Sequence, residues 1–160
     1  MSVNLEWRSA RVLRVVDGDT TVLQDLENGQ VFKTRHIGYN SPETHHPARG
    51  VECFGSEASA NLNNLIAGKV VEYAFDPLEE KKDKYGRWLF HLRFDGELIS
   101  LYMIRHGLAF AYRRFQNVFK KEQLETEAAA KAANAGLWGA CRVFPNPEHP
   151  EEWLTQQTGG

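Results

Sequence analysis

Apolar and β-branched positions gather in short runs along the first half of the chain. Val12, Leu13, Val15 and Val16 form one run, which stops at Asp17-Gly18-Asp19. A second, Thr20-Thr21-Val22-Leu23, leads to Glu27-Asn28-Gly29-Gln30. Asn-Gly offers the two positive-φ residues of a tight type I′ hairpin, so the chain should return as a strand over about 31–38. From 40 to 55 the pattern gives way to Pro, His, Ser and Gly, which predicts a long loop. Loops of that length in compact domains are uncommon and usually functional. Ala58, Leu62, Leu65 and Ile66 then fall at i, i+4, i+7 and i+8, a helical stripe with Ser56 near its start and Gly68 at its end.

Strand character returns over 69–75 and 88–94, the latter followed by an Asp95-Gly96 turn. Two more helices are expected, at about 99–106 before Gly107 and about 121–135 before Gly136. From Arg142 the chain holds three prolines and no periodicity, which predicts a loosely structured C-terminal tail over 142–160. The pattern is an α+β, β-rich arrangement. Five strands with a helix between the third and fourth are what a five-stranded OB-fold Greek-key barrel requires, here with three α-helices.

Composition narrows this reading only a little. The 160 residues suit one domain, 42% hydrophobic and 25% charged, large enough to fold without a disulfide staple. The net charge of -2 argues against indiscriminate coating of nucleic acid, so phosphate contacts call for a local basic patch. Between 98 and 121 the chain carries Arg105, Arg113, Arg114, Lys120 and Lys121 and no acidic residue, which supplies one. No apolar run approaches the ~20 residues that span a bilayer, so no membrane partner is expected. Cys53 and Cys141 lack metal-ligand spacing. Two buried thiols and a disulfide both stay open.

Four segments carry candidate chemistry. Asp17-Gly18-Asp19-Thr20 sets two carboxylates on a sharp turn, the hard oxygen donors that calcium takes, although Asp-Gly is also a common plain turn. Arg35 shares a strand face with Val31, Lys33 and Ile37, and that mixed face leaves its direction undecided. In Asn40-Ser41-Pro42-Glu43-Thr44 the proline holds Glu43 at a fixed distance from the strand bearing Arg35, where a carboxylate can act as a general base or cap the loop. His45 and His46 point opposite ways in an extended chain, so they read as exposed loop residues rather than as a metal pair. Asp83-Lys84-Tyr85-Gly86-Arg87 ends on an arginine directly before a strand, where a guanidinium can grip phosphate.

The order of these segments resembles the staphylococcal nuclease (thermonuclease) family. The resemblance rests on Asp17-Gly18-Asp19-Thr20, on Arg35 five residues ahead of the Asn40-Ser41-Pro42-Glu43-Thr44 turn, and on Asp83-Lys84-Tyr85-Gly86-Arg87. Gly50-Val51-Glu52, Gly55-Ser56-Glu57-Ala58, Gly107-Leu108-Ala109 and Gly136-Leu137-Trp138 extend it over about residues 10–140. The resemblance implies a nuclease-like OB domain over 1–141 and a calcium-dependent hydrolysis of DNA or RNA, the 5′ oxygen leaving to give 3′-phosphate ends. It implies Asp19, Asn40 and the Ser41 carbonyl as Ca2+ ligands, and Glu43 as the residue that orients or deprotonates water. Arg35 and Arg87 would hold the scissile phosphate, and Lys84 and Tyr85 would contact a neighbouring one.

Two departures stand out. The family's second calcium ligand is usually aspartate, so Asn40 keeps the oxygen but loses a charge, and weaker calcium binding is expected. The base-stacking tyrosine pair is here Tyr112 and Phe115, with Arg113 and Arg114 between them. The alternative function is a catalytically silent nucleic-acid-binding module, against which Asp19, Arg35, Glu43 and Arg87 all speak. A monomer is expected. Localisation reads as cytoplasmic from the start of the chain, but as secreted or periplasmic if a signal peptide was removed and the cysteines are bonded.

Overall fold

A computed structural model describes residues 4–44 and 51–158. Strands β1 (Arg8–Asp17), β2 (Thr20–Asp25) and β3 (Val31–His36) form the expected antiparallel meander. On the other side β1 pairs with β5 (Val70–Ala74), which pairs with β6 (Trp88–Phe94). β6 then runs parallel to β3, Thr34 against Trp88 and His36 against Phe90, and closes a five-stranded barrel of the OB type. The two-residue strand β7 (Glu97–Leu98) folds back on β6.

Alternation along these strands sends Val12, Leu23, Phe32, Tyr73, Phe90 and Leu92 inward, all at most 6% exposed. Each such side chain contributes ~1.5–3 kcal/mol on leaving water. Helix α1 (Gly55–Ile66) covers one end of the barrel with Ala58, Leu62 and Ile66, the stripe the sequence spacing predicts. α2 (Ile99–Arg105) and α3 (Lys120–Ala132) pack together, and a single turn, α4 (Leu137–Ala140), makes a fourth helix beyond the three expected. The short pair β4 (Tyr39–Asn40) and β8 (Phe110–Ala111) lies beside the barrel.

Two expectations need correction. Asn28-Gly29 does not form a type I′ turn, because only Gly29 has positive φ (74°). A longer loop winds around Asp25, whose carboxylate accepts the Glu27 and Asn28 backbone N–H groups at 2.7 and 3.0 Å. It is Asp95-Gly96 that has both residues at positive φ, 52° and 79°, as that turn demands.

The tail is not loose either. β9 (Cys141–Pro145) and β10 (Trp153–Gln157) form an antiparallel hairpin. A Cys53–Cys141 disulfide fastens it, and Trp153 packs into a small cluster with Phe110 and Trp138. Thr155 adds a hydrogen bond to the Cys53 carbonyl at 2.7 Å. Prolines and a missing period hid these strands because a two-stranded flap needs no buried stripe of its own.

Candidate active site

The β1–β2 turn anchors the site. Asp19, 5% exposed, accepts the Thr20 hydroxyl at 2.9 Å and the Ser41 N–H at 3.1 Å, and lies 3.4 Å from Arg35 Nη2. Gly18 is required by close approach, since a Cβ there would sit 2.7 Å from Ser41 Cβ and Oγ. Asp17 does different work. Its Oδ1 accepts the Thr44 and Ser59 hydroxyls at 3.1 and 2.8 Å, tying the acidic loop and α1 to the turn.

Beneath the turn runs a buried relay. The Tyr39 hydroxyl donates to the Gly18 carbonyl at 2.9 Å, so its oxygen accepts from His36 Nδ1 at 2.6 Å. That fixes the tautomer, and His36 Nε2 accepts the Thr21 hydroxyl at 2.8 Å. Burial, with a smaller push from Arg35, holds His36 down at about 3, so the ring stays neutral.

Arg35 points outward from β3, which resolves the ambiguity of its strand face. Its Nη1 donates to the His36 and Tyr39 carbonyls at 2.8 and 2.9 Å, and its Nη2 donates to Asn40 Oδ1. Asp19 and Asn40 thus present oxygens to one nitrogen. Glu43 lies in the same field. Burial first, then the charges of Asp19 and Asp17, push its carboxyl up to about 7, against the opposing pull of Arg35. Its backbone is clasped at both ends, the N–H donating to Glu52 Oε1 at 2.9 Å and the carbonyl accepting the Glu52 N–H at 2.8 Å. Gly55 lets α1 begin against this loop, where a Cβ would meet the Glu43 carbonyl oxygen at 2.7 Å.

Arg87 sits just before β6. Arg35 lies opposite Leu89 in the β3–β6 pairing, two residues beyond Arg87, so the two arginines come from neighbouring stretches of chain. Arg87 makes its close contacts elsewhere. Asp83 accepts its Nε–H at 2.7 Å and its backbone N–H at 2.9 Å, and the guanidinium carbon lies 5.5 Å from the Tyr85 ring centre. Lys84 and Tyr85 occupy the same turn, with Tyr85 72% exposed.

The Tyr112–Phe115 pair forms as a surface platform, ring centres 5.7 Å apart, with Arg35 5.9 Å from the Tyr112 ring. The basic patch around it does not survive folding as a field of free charge. Arg113 makes a two-pronged pair with buried Glu127, Arg105 pairs with Glu97, and Lys120 donates to the Arg113 and Phe115 carbonyls. Arg114 faces Glu151 and Glu152, and Lys121 faces Glu125. The sequence count missed this because every counter-charge comes from outside 98–121. Arg113 is thus held in an ion pair with Glu127. His45 and His46 lie outside the described residues.

Asn40, Ser41 and Glu43 line a cleft of about 160 Å³ whose far wall is the C-terminal hairpin, with Glu152, Trp153 and Thr155, and whose side carries Tyr112 and Arg114. Tyr39, His36 and Ser59 support this site without any local sequence signal. Asp17, offered by its spacing as an oxygen donor for a cation, instead anchors Thr44 and Ser59, and the clasp of Glu52 on the Glu43 backbone has no local signal.

A closed five-stranded barrel with clustered carboxylates and outward arginines at its rim has the build of a hydrolase or binding domain of the OB class. The model of the staphylococcal nuclease homologue family matches residues 33–140, about two thirds of the chain, and the chain belongs to that family. It is 33% identical over 132 residues to a thermonuclease of Staphylococcus intermedius, covering 82% of this chain and 75% of that one. With a thermonuclease of Staphylococcus hyicus it shares 32% over 136 residues, covering 84% and 78%. With the SPbeta prophage-derived endonuclease YokF of Bacillus subtilis it shares 30% over 131 residues, 78% of this chain but 42% of that protein. Some relatives are thus more than twice as long as the matched region. Among the described residues no helix is long and apolar enough to cross a membrane.

Proposed function

We propose that the chain is a calcium-dependent nuclease that hydrolyses phosphodiester bonds of DNA or RNA, the 5′ oxygen leaving. One observation carries this reading: Glu43, pushed up to about 7, stands in the field of Asp19 and of an Arg35 fixed by two backbone carbonyls. A base with a pKa near the working pH combines a useful ionised fraction with real basicity.

The donors suit a hard cation. Asp19 and Asn40 already share one positive group, and Ser41 Oγ is buried with no hydrogen-bond partner. Among the described residues no group of three or more His, Cys, Asp or Glu could hold a metal, so the set leans on the Asn40 amide and on the Ser41 carbonyl. That composition fits calcium of modest affinity. Bound there, the ion supplies positive charge to a phosphoryl oxygen. Glu43 accepts a proton from the attacking water as the water oxygen bonds to phosphorus and the P–O5′ bond breaks, and the departing 5′ oxygen takes up a proton from solvent. Arg35 and Arg87 hold the phosphate from adjoining strands and meet the charge that develops on it. Tyr112 and Phe115 offer faces for a base. The Cys53–Cys141 bond supports an oxidising compartment.

The test is hydrolysis of single-stranded DNA with calcium titrated from micromolar to millimolar, beside Glu43→Ala and Arg87→Ala. Cleavage that needs calcium and disappears in both variants is the expected result. DNA binding without cleavage at any calcium level would move the chain to the silent binding modules.

A further inference from the structure

The turn of the C-terminal hairpin brings Glu152 into the lining of the cleft and Glu151 beside it, and among the described residues Arg114 is the lining arginine that both face. Arg114 Nε lies 3.9 Å from Glu151 Oε1, and its Nη1 lies 3.7 Å from Glu152 Oε1. These are loose ion pairs, beyond hydrogen-bonding distance. Elsewhere the chain makes arginine pairs tightly, as in the two hydrogen bonds that Arg93 donates to the Glu72 carboxylate at 2.9 and 3.0 Å. Glu152 Oε1 is shut off from solvent and accepts no hydrogen bond, a costly state for a carboxylate oxygen. Glu151 has a second neighbour, His149 Nδ1 at 3.7 Å. The carboxylates are nonetheless held in place. The Glu152 carbonyl accepts the Asn146 N–H at 2.9 Å, and Trp153 is seated in the cluster beside the disulfide.

We propose that Glu151 and Glu152 are an internal stand-in for a substrate phosphate at Arg114. They keep that arginine aimed at the cleft, and a nucleic-acid phosphate displaces them when it binds. Guanidinium prefers a phosphate in a two-pronged grip to two carboxylates at long range, so the exchange favours substrate. Only ionic contacts change hands. The carboxylates raise the threshold for binding, making Arg114, Glu151 and Glu152 determinants of affinity beside the reacting centre. The inference rests on the nuclease reading for the identity of the phosphate, but it concerns binding alone.

The experiment is equilibrium binding of a fluorescent single-stranded oligonucleotide without calcium, at physiological salt to screen the general field. Four chains are compared: wild type, Glu151→Gln/Glu152→Gln, Arg114→Gln, and all three substitutions together. The double variant should bind about three- to fivefold more tightly, the scale that two half-exposed ion pairs supply. With Arg114→Gln already present, the same change should yield less than twofold. Equal tightening in both backgrounds, or none in either, overturns the proposal. Glu151→Gln alone, at an exposed position, should give part of the gain and guards against misfolding of the double variant. Calcium added afterwards separates the two readings, since a chain that shows the coupling yet never cuts loses its nuclease assignment only. A wild type that binds no oligonucleotide overturns both.

Discussion

Strand β2 has a carboxylate site at each end, and the two ends treat ionised oxygen in opposite ways. At one end Asp25, 1% exposed, accepts from the Tyr73 hydroxyl, from Arg8 Nε at 3.0 Å and from two backbone N–H groups. The Tyr73 hydrogen bond, joined by these others, lowers its pKa below the ordinary 3.8 despite burial. At the other end Asp17, Asp19, Glu43 and Glu52 crowd together, and Glu43 rises to about 7. Donors outnumber charges around Asp25. Among the described residues the Glu43 carboxylate accepts no hydrogen bond and faces the charges of Asp19, Asp17 and Glu52. A group whose every lone pair is answered holds the fold together, whereas one left short of partners keeps the reactivity that a bound water or phosphate can use.

The sharpest way to break this comparison is to exchange the phenotypes. Glu43→Gln and Arg87→Ala should each lower cleavage by roughly 10²–10⁴ with no loss of stability, which rate measurements beside urea melts will show. Asp25→Ala should do the reverse. Cleavage at 25 °C persists, while unfolding free energy falls by about 2–3 kcal/mol because Tyr73 and two N–H groups lose their acceptor. Since the pKa of Asp25 is depressed, its stabilisation is present above 3.8 and is lost as pH falls below it, so the variant's deficit should shrink in acid. An Asp25 variant that melts like wild type would remove the stabilising half of the contrast.

The Cys53–Cys141 bond sharpens the comparison from a third place, because Cys53 adjoins the Glu52 that clasps the Glu43 backbone. Removing it by Cys53→Ala/Cys141→Ala should cost about 2 kcal/mol, towards the low end for a long closed loop because the hairpin keeps its packing. Cleavage should fall a few-fold at the same time. Lost stability with wholly unchanged cleavage would mean that the loop holds Glu43 without help from the hairpin.

Strands, helices and the closed barrel were legible because their buried residues repeat at 2 or 3.6, a signal each short stretch carries by itself. The grouping of Asp19, Arg35, Asn40 and Glu43 in one place was legible too, because their spacing survives in the chain. What escaped depends on residues far apart in sequence. Arg113 looks free until Glu127 folds beneath it, and the patch from 98 to 121 looks basic until Glu97, Glu125, Glu151 and Glu152 arrive from either side. The Asn28-Gly29 turn departs from its local signal for the same reason at shorter range, because a buried aspartate three residues before Asn28 captures the loop. The hairpin 141–157 carries too small an apolar face for periodicity to report, and its placement comes from a disulfide partner far along the chain.

The smallest effect concerns the pH dependence of stability without calcium. Glu43 binds its proton more tightly in the folded chain, at about 7, than at the ordinary 4.5 of an open chain. Its contribution to stability is therefore fully present below 4.5 and is lost as pH rises through 7, where the folded chain must carry a crowded, partly buried charge. Glu43→Gln removes the titration but keeps the shape. At pH 8 the variant should be more stable than wild type by about 1–2 kcal/mol, after allowance for the solvent that reaches this half-buried group. At pH 4 that advantage should vanish, because the Glu43 carboxyl is then protonated in the folded chain and carries no charge. Urea midpoints at the two pH values measure it. An advantage independent of pH would mean that the amide packs better than the carboxyl. No advantage at pH 8 would mean that the acidic end of β2 answers its charges as fully as the Asp25 end does.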